Sequence, residues 1–263
     1  MNFPRVLGTE ILKLRRSRIT WISWIAYSFV AIVSGFFLWI MQHPGLAGSL
    51  GLVGQKARFT VGDSQASWAT LFGMFEQMSG VGGMILLSII VTYLFGREYA
   101  EGTGKYMLAL PLRRSVIVLA KLLTALAWFG LISLSLVAES LGVGTLLGLA
   151  GFSWTLFAAS AGKILLLAGL LLALAPPVAW VAVSSGGYLA PLGFTIFTLV
   201  LGTAFGATGW GPWFPWSIVA LLSGSAGPNG AALGAGSWLV LGATFLAGTA
   251  GTIGRLALAD NAQ

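Results

Sequence analysis

The 263-residue sequence has no cysteine and a single histidine, His43. The first absence excludes disulfides, a thiolate nucleophile and a Cys-ligated metal. The second excludes a His-rich metal centre or a bis-His haem within one chain. Charge is also scarce. Only 14 Lys/Arg and 7 Asp/Glu are present, 8% of the chain, where a soluble domain carries about 25%. Hydrophobic residues make up 57% and the mean hydropathy is +0.91, so a water-soluble globule of this size could not cover its surface with polar groups. A soluble enzyme, a disordered chain and a disulfide scaffold are thereby excluded. What is present fits an all-α integral membrane protein. The apolar runs are continuous rather than alternating as in barrel strands, and 37 glycines suit close packing of membrane helices.

A helix needs about 20 apolar residues to cross the hydrocarbon core. Charges and turn signals divide the chain into six such spans, near residues 20–41, 77–96, 122–143, 164–184, 188–206 and 236–254. The last three are cut from 91 uncharged residues between Lys163 and Arg255. Ser184-Ser185-Gly186-Gly187 makes one break, and the segment 207–235, with Pro212, Pro215 and Gly227-Pro228-Asn229-Gly230, makes the other. The first span is longer than the apolar core of a cleavable signal peptide. The net charge of +7 is read through its placement. With both termini cytoplasmic, 11 of the 14 Lys/Arg fall inside, as the positive-inside rule requires. Cations placed this way answer to the lipid bilayer, and no nucleic-acid partner is expected.

The N-terminal segment 1–19 reads as an interfacial amphipathic helix. Leu7, Ile11 and Leu14 form its apolar face, opposite Glu10, Lys13 and Arg16/Arg18, with Arg15 also on the surface helix. It serves as a membrane-surface helix, as a contact for a cytoplasmic partner, or as both. The segment 97–121 holds Arg97, Glu98, Glu101, Lys105, Arg113, Arg114 and Lys121, a third of all the charges. A plain membrane turn needs no such concentration, whereas a docking surface for a soluble protein does; a solvated topogenic loop is the other reading of the same charges. Glu98 and Glu101 are three apart and share a helix face; Gly102, Gly104 and Pro111 then break the segment. Gly102-Thr103-Gly104-Lys105 is not a phosphate loop, because Tyr99 stands at the first glycine position and Tyr106 follows the lysine.

Other positions carry two readings each. Glu139, the one acid within a span, is a wet carboxylate near the outer boundary or lines a cavity, with Lys163 as a partner. Pro176-Pro177 makes a fixed kink or a hinge. The segment 207–235, with Trp213, Pro215 and Trp216, forms short re-entrant or interfacial outer helices that anchor the chain or gate an exit. Trp68, Phe72 and Phe75 suggest another outer surface helix. Gly144/Gly148, Gly202/Gly206 and Gly230/Gly234 give packing capacity.

Glu98-x-x-Glu101-Gly102-Thr103, then Leu108-x-Leu110-Pro111-x-Arg113-Arg114 and Lys121, resembles the loop of type 2 ABC exporter permeases. The opening Glu10-Ile11-x-Lys13-Leu14-Arg15-Arg16-Ser17 and Phe214-Pro215-Trp216-Ser217 before the last span are similar too. The resemblance covers the six-span layout and includes peptide-antibiotic exporters of the bacitracin and lantibiotic type. It implies a transport subunit in a bacterial plasma membrane, not an enzyme, paired with a second permease chain, identical or related. It also implies a separate ATP-binding cassette ATPase that carries the ATP and Mg, with no cofactor in this chain. In that family the second cytoplasmic segment is a coupling helix, so Arg97, Glu98, Glu101, Gly102, Thr103, Arg113 and Arg114 would carry the ATPase contact. The implied cargo is amphipathic: a peptide antibiotic, a lipid or a drug. The alternative is a secondary transporter or channel not coupled to ATP, which should show inverted repeats and midplane charges. An intramembrane hydrolase lacks both HExxH and a Gly-x-Ser-x-Gly elbow. A membrane scaffold remains open.

Overall fold

The computed structural model describes residues 3–43, 66–103, 112–227 and 231–260. They form α1 (Phe3–Arg15), α2 (Arg18–Gln42), α3 (Trp68–Ala100), α4 (Arg114–Leu146), α5 (Trp154–Ala173), α6 (Ala175–Ser185) and α7 (Leu189–Gly206). A 3₁₀ turn (Gly211–Trp213), α8 (Pro215–Ser223) and α9 (Ala235–Asp260) follow. Among the described residues there are six membrane-length apolar crossings: α2, α3, α4, α5 with α6, α7 and α9. The chain is an all-helical, multi-pass membrane protein.

Local sequence sets the ends. Ser17, Ser67 and Ser153 cap α2, α3 and α5, their hydroxyl oxygens accepting from Ile19, Thr70 and Leu156 N–H groups. Gly186 at φ 64° and Gly224 at φ 79° close α6 and α8 in the left-handed conformation that glycine adopts without strain. α3 is the hub, packed against α2, α4, α5, α6, α7 and α8. Its Phe72, Phe75 and Phe95 are fully buried with Phe129 of α4 and Leu167 and Leu171 of α5.

Several expectations change. α3 and α4 each run 33 residues, well past the spans 77–96 and 122–143. Trp68, Phe72 and Phe75 therefore belong to a spanning helix rather than an outer surface helix. They are buried because Trp68 seats on Gly144 of α4 while Phe72 meets Phe157 of α5. On α1 the packed face is Val6, Glu10 and Leu14; Ile11 is exposed and Glu10 is buried. Glu10 turns inward because α4 offers it a buried lysine. Lys163 does not reach Glu139. It lies within α5 and pairs with Glu76 of α3 at 2.7 Å.

Pro176-Pro177 produces a real break. α5 stops at Ala173 and α6 restarts at Ala175 with both prolines in its first turn, where no N–H is missed. Gly248 of α9 seats on this break: a Cβ there would lie 2.4 Å from Pro177 N. Thr252 Oγ1 donates to the Pro176 carbonyl at 3.4 Å. The segment after α7 splits its tryptophans. Trp210 and Trp213 are exposed. Trp216 turns inward onto Gly202 and Phe194, roughly one and three turns from the end of α7. α8 follows with Ser217 and Ile218 fully buried. Of the glycine pairs, Gly144, Gly202 and Gly206 meet neighbours closely, whereas Gly148 and Gly234 meet open space. Gly230 lies outside the described residues.

The Trp68 seat makes a specific demand. A Cβ on Gly144 would stand 2.3 Å from the indole, while one on Gly142 would meet nothing within 4 Å. Gly144→Ala should destabilise the protein by about 1–3 kcal/mol, the usual cost of overpacking. Gly142→Ala should stay within about 0.5 kcal/mol of the parent. Thermal midpoints of the two detergent-solubilised variants compare the sites directly, and equal midpoints would remove the seat.

Candidate functional site

Most of the described charges gather at one end of the bundle, where α1, the end of α3 and the start of α4 meet. Lys121 of α4 is the centre and is only 3% exposed. Its Nζ donates to Glu98 Oε1 of α3 at 3.0 Å, to Glu10 Oε2 of α1 at 3.2 Å and to the Leu94 carbonyl. The Phe95 ring lies 5.8 Å from the ammonium. Lys13 closes the set from the solvent side, donating to Glu10 Oε1 at 2.7 Å and Glu98 Oε1 at 3.0 Å. Two carboxylates and two ammoniums cancel in charge, so the group can leave water together although none could do so alone.

The titration of α1 reports this balance. Burial pushes the Glu10 carboxyl up, but Lys121 and Lys13 outweigh it and hold the group below its ordinary value of 4.5. Burial pushes Lys13 down, but hydrogen bonds and charge from Glu10 and Glu98 hold it above 10.5.

Around this core the segment 97–121 is shorter as a loop than its sequence suggests. Arg97 and Glu98 lie in the last turn of α3, and Glu101 caps it. Arg97 Nε donates to Glu101 Oε1 at 2.8 Å, and its Nη1 donates to Tyr93 Oη at 2.8 Å. Gly102 takes φ 68°, and Thr103 Oγ1 donates back to the Glu98 carbonyl at 3.3 Å. Arg113 is exposed as the residue before α4, and Arg114 begins that helix half-buried. Gly104, Lys105, Leu108, Leu110 and Pro111 lie outside the described residues. Glu98 and Glu101 both line a cavity of about 500 Å³, yet only Glu101 is exposed; Glu98 is 8% exposed. Arg15 and Arg16 are exposed at the end of α1.

The sequence pointed to Glu98 as a contact for the ATPase and counted Lys121 among the charges of the segment without giving it a role of its own. The missed signal is the spacing of Val6, Glu10 and Leu14. It places an acid in line with two apolar residues and so calls for a buried cation.

The remaining candidates lie elsewhere in the bundle. Glu139 Oε1 accepts from Ser28 Oγ of α2 at 2.7 Å. Its Oε2 is shut from solvent with no hydrogen-bond partner among the described residues. The same α2–α4 seam holds Trp128 Nε1 donating to Ser23 Oγ at 2.9 Å and Trp24 Nε1 donating to Ser135 Oγ at 3.0 Å. Pro176 and Pro177 lie against α9, Pro215 starts α8, and the buried Trp216 Nε1 finds no acceptor among the described residues. None of these joins the charged end.

Comparison with known proteins gives two findings. The sequence model of the family described as "ABC-2 family transporter protein" matches residues 6–202. That stretch holds all four members of the ion cluster. The bacitracin transport permease protein BCRB of Bacillus licheniformis is 29% identical over 137 residues, covering 52% of this chain. The matched stretch covers 66% of that relative's length.

Removing the central ammonium leaves two buried carboxylates short of charge. Lys121→Met should cost about 3–5 kcal/mol, the range for breaking a buried pair. Adding Glu98→Gln should recover part of the loss, since the two sites share one interaction. Thermal unfolding of the single and double variants reads both effects, and simple additivity would argue against the cluster. A pH series tests α1 separately. The lowered Glu10 value means its stabilisation is present above about 4.5 and lost as pH falls through the folded value. The raised Lys13 value means its share is present below about 10.5 and lost as pH rises through the folded value. Hydrogen-exchange protection of α1, corrected for intrinsic rates, should fall at both extremes and hold between them.

Proposed function

The chain belongs to the ABC-2 family of transporter proteins, and from that premise we propose that it is the membrane-spanning half of an ATP-driven exporter. It is a multi-pass ABC transporter permease. Two such chains, identical or related, enclose a pathway in a bacterial plasma membrane. A separate ATPase subunit binds the charged end, which faces the cytoplasm together with both termini. Nucleotide and magnesium belong to that partner. The name of the Bacillus licheniformis relative supports a peptide antibiotic as one cargo. Any cargo of this pathway is amphipathic, given apolar crossings with few charges.

One observation carries the coupling part of this reading: Lys121 ties α1, α3 and α4 into one body at the flanks of the segment 97–121. Pressure on an isolated loop would be lost in loop motion. Pressure on this segment reaches α3, the helix against which α2 and α4 to α8 pack. The exposed groups available to a partner include Glu101, Gly102, Thr103 and Arg113, with Arg15 and Arg16 at the end of α1. Glu98 serves from behind by fixing the end of α3. Nucleotide binding then favours one arrangement of the crossings by the difference in its affinity for the two states. Glu139 and the Pro176-Pro177 break within the crossings, with Trp213, Pro215 and Trp216 in the segment after α7, are the pathway or gate elements.

The test reverses exposed charge and leaves the buried cluster intact. Glu101→Lys with Arg113→Glu should lower co-purification of a co-expressed ATPase subunit by about tenfold or more, equal to about 1.4 kcal/mol. The permease itself should keep its thermal midpoint. Undiminished recovery of the ATPase would sink the coupling assignment.

A further inference from the structure

The elbow between α1 and α2 gathers cations that the chain itself does not answer. Arg15 ends α1, Arg16 follows it and Arg18 opens α2. All three are exposed, and none makes a side-chain hydrogen bond or ion pair among the described residues. The acids at this end are taken: Glu10 and Glu98 serve Lys13 and Lys121, and Glu101 serves Arg97. The elbow is also tied. Thr20 Oγ1 donates to the Leu14 carbonyl, Ser17 N–H donates to the same oxygen at 2.9 Å, and Ile19 N–H donates to Ser17 Oγ at 3.2 Å. Three guanidiniums are thereby held around one short turn.

An apolar strip continues from these charges. Ile22, Ile25, Phe29 and Ile32 follow Arg18 at i+4, i+7, i+11 and i+14, so they share its face of α2, and all four are exposed. On α1, Ile11 stands one turn before Arg15 and is exposed with it. Arg18 to Phe29 spans about 16 Å at a rise of about 1.5 Å per residue, close to one leaflet of a roughly 30 Å hydrocarbon core. We propose that the elbow and strip bind a phospholipid of net negative headgroup, of the phosphatidylglycerol class. Its phosphodiester accepts from Arg15 and Arg18, whose planar forks match phosphate oxygens, and an acyl chain lies along Ile22 and Ile25.

Charge and position select this chemistry together. A zwitterionic headgroup brings its own ammonium against the guanidiniums, whereas an anionic one supplies only the missing sign. Arg18 is the first residue of a membrane crossing, so its side chain stands where hydrocarbon gives way to headgroups. A soluble anion would satisfy the arginines and leave the strip bare. A lipid satisfies both. Bound there, it joins the end of α1 to the start of α2, beyond the ion cluster by which Lys121 joins α1 to α3 and α4.

The main experiment needs no ATPase, so its outcome is independent of the coupling reading. The wild-type chain is delipidated in detergent and supplied with phosphatidylglycerol or phosphatidylcholine of identical acyl chains, and bound lipid is counted by native mass spectrometry. Phosphatidylglycerol should be retained at least about tenfold over phosphatidylcholine, and the ratio should shrink as salt rises. Arg15→Gln with Arg18→Gln should bring the ratio near one. Arg113→Gln, which removes an exposed cation just before α4, should leave it unchanged. Equal retention of the two lipids by the wild-type chain would overturn the proposal even if the double variant failed to fold. An unchanged ratio in the double variant would overturn it too, and a matching fall in co-purified ATPase would then assign the arginines to that protein. Soluble glycerol phosphate at the same concentration should leave the lipid bound; displacement would assign the arginines to a free phosphate compound. Cross-linking of position 22 between two copies, with no lipid preference, would assign the strip to a second chain.

Discussion

An ammonium taken out of water is a liability unless every part of its surroundings answers it, and the charged end of this protein is arranged around that constraint. Lys121 is met by two carboxylates, a backbone carbonyl and an aromatic face. They come from two other helices: Glu10 from α1, and Leu94, Phe95 and Glu98 from α3. Satisfying one cation therefore fixes three helices relative to one another. The isolated Coulomb gain of such a group is offset by the cost of desolvation. Its value lies in the geometry it forces, since no two of the three helices can separate without stranding a buried charge.

The rest of the bundle is held by shape. In a membrane, apolar side chains gain little by leaving lipid for protein, so helices associate through close fit. Trp68 on Gly144, Trp216 on Gly202 and the proline break on Gly248 are three such fits. In each, a bulky or rigid group meets a bare backbone. α6 and α9 are joined in this way along Gly248 and Gly251, the latter under Trp180. An ion cluster thus ties α1, α3 and α4 together at one end, while glycine seats fit α3 to α4 further along and organise the C-terminal helices.

Much of this was legible from residue order. Six crossings follow from charge spacing, and the breaks at Gly186 and Pro176-Pro177 follow from backbone chemistry. The charged segment 97–121 marked the site. What residue order hid was direction. The outward reading of Glu10 used the helical period correctly up to the choice of face, because its counter-ion stands 111 residues away. Lys163 has the same history: Glu76, its partner, belongs to a helix that begins at Trp68, well before the apolar run does. Trp68 itself looked like interface because its seat, Gly144, has no side chain to announce it. Pairings between distant polar groups and bare backbone leave no periodic trace, whereas crossings do.

The distance between Glu10 and Lys121 along the chain also sets an order of events. Glu10 leaves the ribosome 111 residues before the lysine that neutralises it, an interval of roughly 6–22 s at about 5–20 residues per second. During that time the carboxylate has only Lys13, one turn away, as company. α1 can rest at the membrane surface but cannot take its final seat, and α2 and α3 must enter the bilayer without it. Arrival of α4 completes the set. α1 is thus made before the crossings it packs against and, in the N-terminal half, is the last to lock.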